Sequence, residues 1–374
     1  PFGPIPAYAI REASADHAGI GPPTSNGCDS STAREPSASA TQIKLMAGSQ
    51  TTPAGLPLAG IGFTVALYIG GLSFDDELLT VALELAAVST DIAEMPDGEY
   101  EAEEYADTDG HSDKPIPIKV KLIIKGTDII VDFSGTPGVV KGAINSPYAN
   151  TASATLYSLQ FFLAPHAPQN QGMFNPITIK LPEDCWLNAK WPAPTIGCTT
   201  LTSSKITSAI WQALAKACPE KVTGSTNAEC NWFVSSVVAP DGSSNVFSDL
   251  PAGGWGGTPF GDGMNVTEDA LGNCMNMPAE TAELLFPIAY EAFELRTDSG
   301  GPGRFRGGLG AVFKVRYLAD GELSMESART LEGSPGVNGG GGSDVQRQIK
   351  IHTDGSREVI GGLDGKGGWK SPLL

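Results

Sequence analysis

Two stretches of this chain are so dense in glycine that neither can sit inside a helix or a strand. They are Pro251-Ala-Gly-Gly-Trp-Gly-Gly-Thr-Pro-Phe-Gly-Asp-Gly263 and Asp298-Ser-Gly-Gly-Pro-Gly-Arg-Phe-Arg-Gly-Gly-Leu-Gly310. Glycine loses more backbone freedom on ordering than any other residue, so such runs read as loops. The same residue admits positive φ and lets two backbones, or a backbone and a ligand, come close. With 46 Gly and 28 Pro in 374 residues the chain is loop-rich, yet its composition is not that of a disordered protein. Its 41% hydrophobic content and its length allow a large core and suggest two or three domains.

Between the loops, periodic segments alternate. Ser73-Phe-Asp-Asp76 begins a capping pattern, and Leu78, Val81, Ala82, Leu85 and Ile92 follow on one helical face, ending before Pro96. Residues 97–113 are rich in acids and contain no Lys or Arg. Ile118-Lys-Val-Lys-Leu122, a turn at Gly126-Thr127-Asp128 and Ile129–Phe133 predict a β-hairpin. A helix is expected over about 150–163. A second is expected behind a Thr202-Ser203-Ser204 cap, with Ile206, Ala209, Ile210, Ala213, Leu214 and Ala217 facing inward. Strands are expected within 231–250, a short helix around 279–286, and turns between short strands beyond 330. The fold class is α+β, mixed, with hairpin-rich sheets, a few amphipathic helices and long Gly-rich loops. The domain reading is 1–72, 73–330 and a Gly-rich C-terminal β region at 331–374.

A net charge of −18 argues against nonspecific binding to nucleic acid or an anionic membrane, both of which require a basic footprint. The longest apolar run, Gly60–Leu72, is too short to span a bilayer. Six scattered cysteines without a C-x-x-C pair predict free thiols and a cytoplasmic protein. The opening Pro-Phe-Gly-Pro lacks both Met and a signal pattern, and reads as a fragment, a processed product or a partial gene model.

Tests for familiar chemistry are mostly negative. No G-x-x-x-x-G-K-[ST] loop is present, Gly301–Gly307 has the wrong spacing for a dinucleotide turn, and no G-x-S-x-G elbow occurs. ATP chemistry is therefore expected on another chain. Asp107-Thr-Asp109-Gly-His111-Ser-Asp113 lacks the rest of an EF-hand; it reads chiefly as a solvated acidic turn, with a metal or substrate role as the alternative. Gly253, Gly254 and Gly256 can present N–H groups to an oxyanion or phosphate, with Trp255 as a flat wall. They can equally form tight turns around a core Trp. Arg296 and Asp298, on the second loop, either fix that loop or bind substrate.

The ordered set of motifs goes further. Pro96-Asp-Gly-Glu-Tyr100, Asp107–Gly110, Val131-Asp-Phe-Ser-Gly-Thr136, Lys141-Gly-Ala-Ile-Asn145, Asn170-Gln-Gly172, Gly253–Gly256, Asp262-Gly263 and Leu295–Gly310 occur in that order. Together, over about 95–330, they resemble the hydantoinase B family. That family comprises the B-type subunits of ATP-dependent hydantoinases and 5-oxoprolinases, and their relatives in acetone and acetophenone carboxylases. The resemblance implies an A-type partner subunit that holds ATP and Mg and phosphorylates a cyclic amide, while the B-type subunit completes ring opening. It implies a small-molecule pocket that includes Gly253, Gly254, Trp255, Gly256, Asp262, Asn145, Arg296 and Asp298. Ala15-Asp-His-Ala-Gly-Ile-Gly21 is similar to a degenerate copy of the family's His-His-Ala-Asp motif. This implies that His17 is a base or a ligand to a divalent metal, and that 1–72 is a remnant of the family's N-terminal half. A ketone carboxylase subunit and a non-catalytic scaffold are the competing readings.

Overall fold

The computed structural model describes residue 85 and residues 87–112, 114–165, 169–238, 242–326 and 328–360. All lie in the compact unit Ala59–Leu374. Residues 87–93 are helical, with Val88 and Ile92 buried, as the apolar period predicts; residues 73–84 of the predicted helix lie outside the described residues.

The main sheet has the order β1-β2-β3-β4. β1 (Gly98–Ala106), β2 (Ile116–Lys125) and β3 (Asp128–Asp132) form an antiparallel meander, and β4 (Ile177–Lys180) lies parallel to β3. The predicted hairpin is β2–β3, turned at Gly126 with φ +60. In β2 every second residue (Ile116, Ile118, Val120, Leu122, Ile124) is buried, which is the strand period of two. β1 comes from the acid-rich stretch, where the apolar period alone does not predict a strand. There Tyr100 and Ala102 pack against the core, while Glu99 and Glu101 point outward and pair with Lys121 at 3.1 and 2.8 Å.

Helix α1 (Tyr148–Gln160) and helix α3 (Thr202–Ala217) cover this sheet, with α3 against β1 and β2 and α1 against α3. Between them in the chain runs the one-turn α2 (Gln171–Phe174), whose N-cap Asn170 accepts from Gly172 N at 2.8 Å. Trp211 of α3 packs against Phe161 and Phe162, ring centroids 5.1 and 5.5 Å away. The predicted cap of α3 is not used as one. Its N-cap is Leu201, and the Thr202, Ser203 and Ser204 hydroxyls reach instead to the Ile144 carbonyl, the Cys198 carbonyl (2.9 Å) and Asp269 (2.7 Å).

A second, smaller core joins two sheets. β5 (Phe233–Val238) lies between β6 (Ser244–Asp249) and β9 (Gly321–Met325), while β7 (Ile288–Leu295) pairs with β8 (Ala311–Tyr317). Phe233, Phe247, Ile288, Leu323 and Met325 are buried here, with Phe313 and Tyr290 packed against them. Helix α4 (Ala279–Leu285) adds Ala282 to the same core, and β10 (Ile349–Ile351) pairs with β11 (Arg357–Val359). The fold is mixed α+β with hairpin-built sheets, as expected. Cys185, Cys198, Cys218, Cys230 and Cys274 are free thiols. Among the described residues no helix is long and apolar enough to cross a membrane.

Candidate functional site

The two glycine loops lie against each other. Gly308 N donates to the Trp255 carbonyl (2.7 Å), Gly263 N to the Arg306 carbonyl (2.8 Å), and Val266 N to the Leu309 carbonyl (2.9 Å). Their glycines are required by this approach. A Cβ on Gly257 would lie 2.5 Å from the Phe305 carbonyl oxygen, and one on Gly254 would lie 2.6 Å from the Gly308 carbonyl carbon. Trp255 is part-buried: its ring packs on Phe161 and Trp211 (5.6 and 6.0 Å between centroids), and its Nε1 donates to the Glu268 carbonyl at 2.7 Å. The Trp255 amide donates to the Met264 carbonyl (3.0 Å), closing the first loop. Phe260 stands 85% exposed at its tip.

The residues singled out from the sequence fall into three places. Gly253, Gly254, Trp255, Gly256 and Asp262 share the first loop. Asp262 accepts from Arg306 N at 3.0 Å and faces Arg306 Nε at 3.5 Å, so it ties the two loops together. Arg296 and Asp298 stand at the start of the second loop. Arg296 donates to the Val345 carbonyl (2.8 Å) and pairs with Asp344 rather than Asp298, which is exposed with φ +56. Asn145 is fully buried and staples a separate turn, accepting from Val140 N and donating to the carbonyls of Val140, Gly142 and Pro194 at 2.9–3.0 Å. His17 lies outside the described residues, as does Asp113.

The acidic turn differs from expectation. Asp107 and Asp109 are buried, not solvated. Asp107 accepts from Thr330 N (2.7 Å), Thr330 Oγ1 (2.6 Å) and Leu331 N (3.2 Å); Asp109 accepts from His111 N, Ser112 N and Gly142 N. Backbone N–H groups, several from distant segments, thus take the place of water around these carboxylates. Among the described residues no three His, Cys, Asp or Glu side chains converge to hold a metal ion.

Sequence reasoning missed a buried charged cluster around the first half of α3. Glu104 and Arg329 form a bidentate pair, 2.8 Å at each contact, and both are buried. Ser208 donates to Glu104 and accepts from Ser225 Oγ at 2.7 Å. Burial raises the Glu104 carboxyl, but the Arg329 and Lys205 charges outweigh it and bring the pKa down to about 2. Lys205 is wholly buried, and desolvation and the Arg329 charge push its pKa down. Burial pushes Glu229 well above its usual range and Glu326 up to about 8. The Glu229 carboxylate accepts from Ala328 N, and Thr200 donates to Glu326. The cluster therefore clamps the end of β1, α3, residues 223–231 and the segment formed by residue 326 and residues 328–331 onto one another. Its signal in the sequence is the broken alternation of Gly98–Ala106, which turns Glu104 onto the face of Tyr100 and Ala102. A second signal is the Ser, Thr and Lys content of α3's first turns.

Residues 82–367 match the family described as Hydantoinase B/oxoprolinase. The chain belongs to this family. A Pseudomonas sp. (strain NS671) protein, named for the B-type subunit of a D-/L-hydantoinase, is 34% identical over 252 residues, covering 63% of this chain and 41% of that protein. This hydantoinase B family chain thus spans about two fifths of the length of that relative. The ATP-dependent caprolactamase from Pseudomonas jessenii superposes with a TM-score of 0.66 at 22% identity, over 80% of this chain and 54% of that one. Acetone carboxylase in its nucleotide-free structure gives 0.64 at 17% identity, over 71% and 38%. At these identities the two structures are alike in fold.

Proposed function

We propose that this chain supplies the B-type function of an ATP-dependent cyclic amide hydrolase of the hydantoinase/5-oxoprolinase type. The family match across 82–367 carries the reading. An A-type subunit, holding ATP and Mg, phosphorylates the cyclic amide. The B-type chain then completes ring opening: one water adds to the phosphorylated carbon, its two protons pass to the ring nitrogen as the C–N bond breaks, and a second water attacks the resulting acyl phosphate, leaving the carboxylate and releasing phosphate. In this scheme the paired glycine loops bind the small-molecule substrate. Trp255 forms an apolar wall, and Asp262, tied to Arg306, holds the rim. Arg296 and Asp298 shape the start of the second loop, and Asn145 keeps the 140–145 turn in place. His17 is retained as a base or metal ligand, in the segment that resembles the family's His-rich motif. A cytoplasmic complex fits this chemistry.

The likeness in fold to acetone carboxylase favours one alternative, a ketone carboxylase subunit with bicarbonate as co-substrate. Co-expression with an A-type subunit tests both. ATP turnover stimulated by hydantoin, 5-oxoproline or caprolactam supports the hydrolase; turnover that requires acetone or acetophenone with bicarbonate supports the carboxylase. Complex formation without either turnover leaves a scaffold. Full activity of His17→Ala would remove His17 from the site.

A further inference from the structure

The Gly253–Gly257 loop does not rest on a side-chain core alone; it lies across a strap, residues 223–227. Gly224 N donates to the Gly257 carbonyl at 2.9 Å, and Thr223 Oγ1 donates to the Gly256 and Gly257 carbonyls at 3.3 and 3.2 Å. At one crossing a Cβ on Gly224 would lie 3.1 Å from Gly256 Cα; at the other, a Cβ on Gly253 would lie 2.5 Å from Asn227 Cγ. Loop and strap are therefore in register, glycine against backbone or side chain, with no slack between them.

The strap's other side hangs on the buried cluster. Ser225 Oγ donates to Ser208 Oγ (2.7 Å), which donates to Glu104. Thr226 donates to Asp269, which also accepts from Ser204 at 2.7 Å. Arg329 Nε donates to the Asn227 carbonyl at 3.3 Å while its fork holds Glu104. Thr223, Ser225 and Thr226 are all buried. The strap ends at Ala228 with φ +56, and Arg329 itself sits at φ +57. Non-glycine residues enter this region only when their surroundings hold them there.

We propose that Glu104, Arg329 and Ser225 are positioning residues that set the glycine loop through the strap and thereby the binding of the cyclic amide. The last clause rests on the proposed function; the mechanical claim does not. A charge pair held by a two-point fork fixes both distance and angle, which a single hydrogen bond cannot do. A loop without side chains of its own at its crossings takes its position from what lies beneath it.

Hydrogen exchange on the full chain tests this without reference to activity. In Ser225→Ala the peptide 253–265, which includes the bonded amides of Trp255 and Gly263, exchanges about fivefold faster, the factor expected for one lost hydrogen bond. Peptide 118–124 in β2 keeps its wild-type rate. Arg329→Lys, which keeps the charge but loses the fork, gives the same local pattern and serves if Ser225→Ala does not fold. Unchanged exchange at 253–265, or acceleration shared equally with 118–124, overturns the proposal. In the complex with an A-type subunit, Ser225→Ala raises KM for the cyclic amide severalfold and leaves kcat near wild type. An equal fall in kcat with unchanged KM overturns the binding clause. If the wild-type complex has no substrate-stimulated turnover, the proposed function fails while the exchange result still decides the strap.

Discussion

A carboxyl group that titrates at about 8 has lost its preference for the charged form, and Glu326 has lost it through burial. Its folded pKa lies above the unfolded value of 4.5, so the native state holds a proton there that the unfolded chain has released. Stability therefore falls as pH rises from about 4.5 to about 8, by an amount on the order of 5 kcal/mol for that single group. Glu326→Gln is expected to flatten this limb: urea midpoints at pH 8 rise above wild type and coincide with it near pH 4.5. Glu104 has the opposite sign. Its pKa is lowered to about 2, so its contribution is full above 4.5 and is lost as pH falls towards 2. Glu104→Gln, which leaves Arg329 buried without its counter-charge, is expected to cost about 3–5 kcal/mol at pH 7 by urea denaturation. At Gly308, where a Cβ would lie 2.5 Å from the Met264 carbonyl carbon, Ala is expected to destabilise by about 1–3 kcal/mol, read the same way. Of these three roles the sequence marks only the inward facing of Glu104, through the broken alternation of Gly98–Ala106; its partner, 225 positions away, left no local sign.

At the scale of elements, legibility followed sequence distance. The β2–β3 hairpin, α1, α3 and α4 come from local period and turn chemistry, and the structure has them close to where those signals place them. The parallel pairing of β3 with β4 and the antiparallel pairing of β5 with β9 depend on residues 48 or more positions apart and left no local mark. α3 shows the limit most clearly. Ser and Thr in a first turn have an ordinary local meaning as caps, but here Ser203 bonds Asn150 and Ser204 bonds Asp269, and in the next turn Ser208 bonds Glu104, all at least 53 positions away. The glycine loops were legible as loops; that they pack on each other was not. α3 also carries Lys205, whose ammonium is fully buried and has no hydrogen-bond partner among the described residues. Desolvation outweighs the attraction of its acidic neighbours, so Lys205→Met is expected to raise the urea midpoint at neutral pH.

For the whole molecule the dominant fact is a charge of −18. Self-repulsion of this size opposes the compact state and is screened by salt, so raising NaCl from roughly 10 mM to roughly 300 mM is expected to raise the urea midpoint. The two buried cores support different parts of the candidate site. The first carries α3 and the strap beneath the glycine loop, whereas the second carries β7 and β8, which flank the second loop. A protein that keeps the tightest crossings of its candidate binding loops free of side chains has also given up the usual handle for changing what it binds. Replacing Gly253, Gly256 or Gly257 in a library selects against folding before it selects for a new substrate. Diversity survives only at the few positions with outward room, Phe260, Gly261 and Arg304 among them, and in the buried strap, where a change of one hydroxyl moves the loop as a body. Retargeting this protein is a problem of adjusting its support rather than repainting its surface.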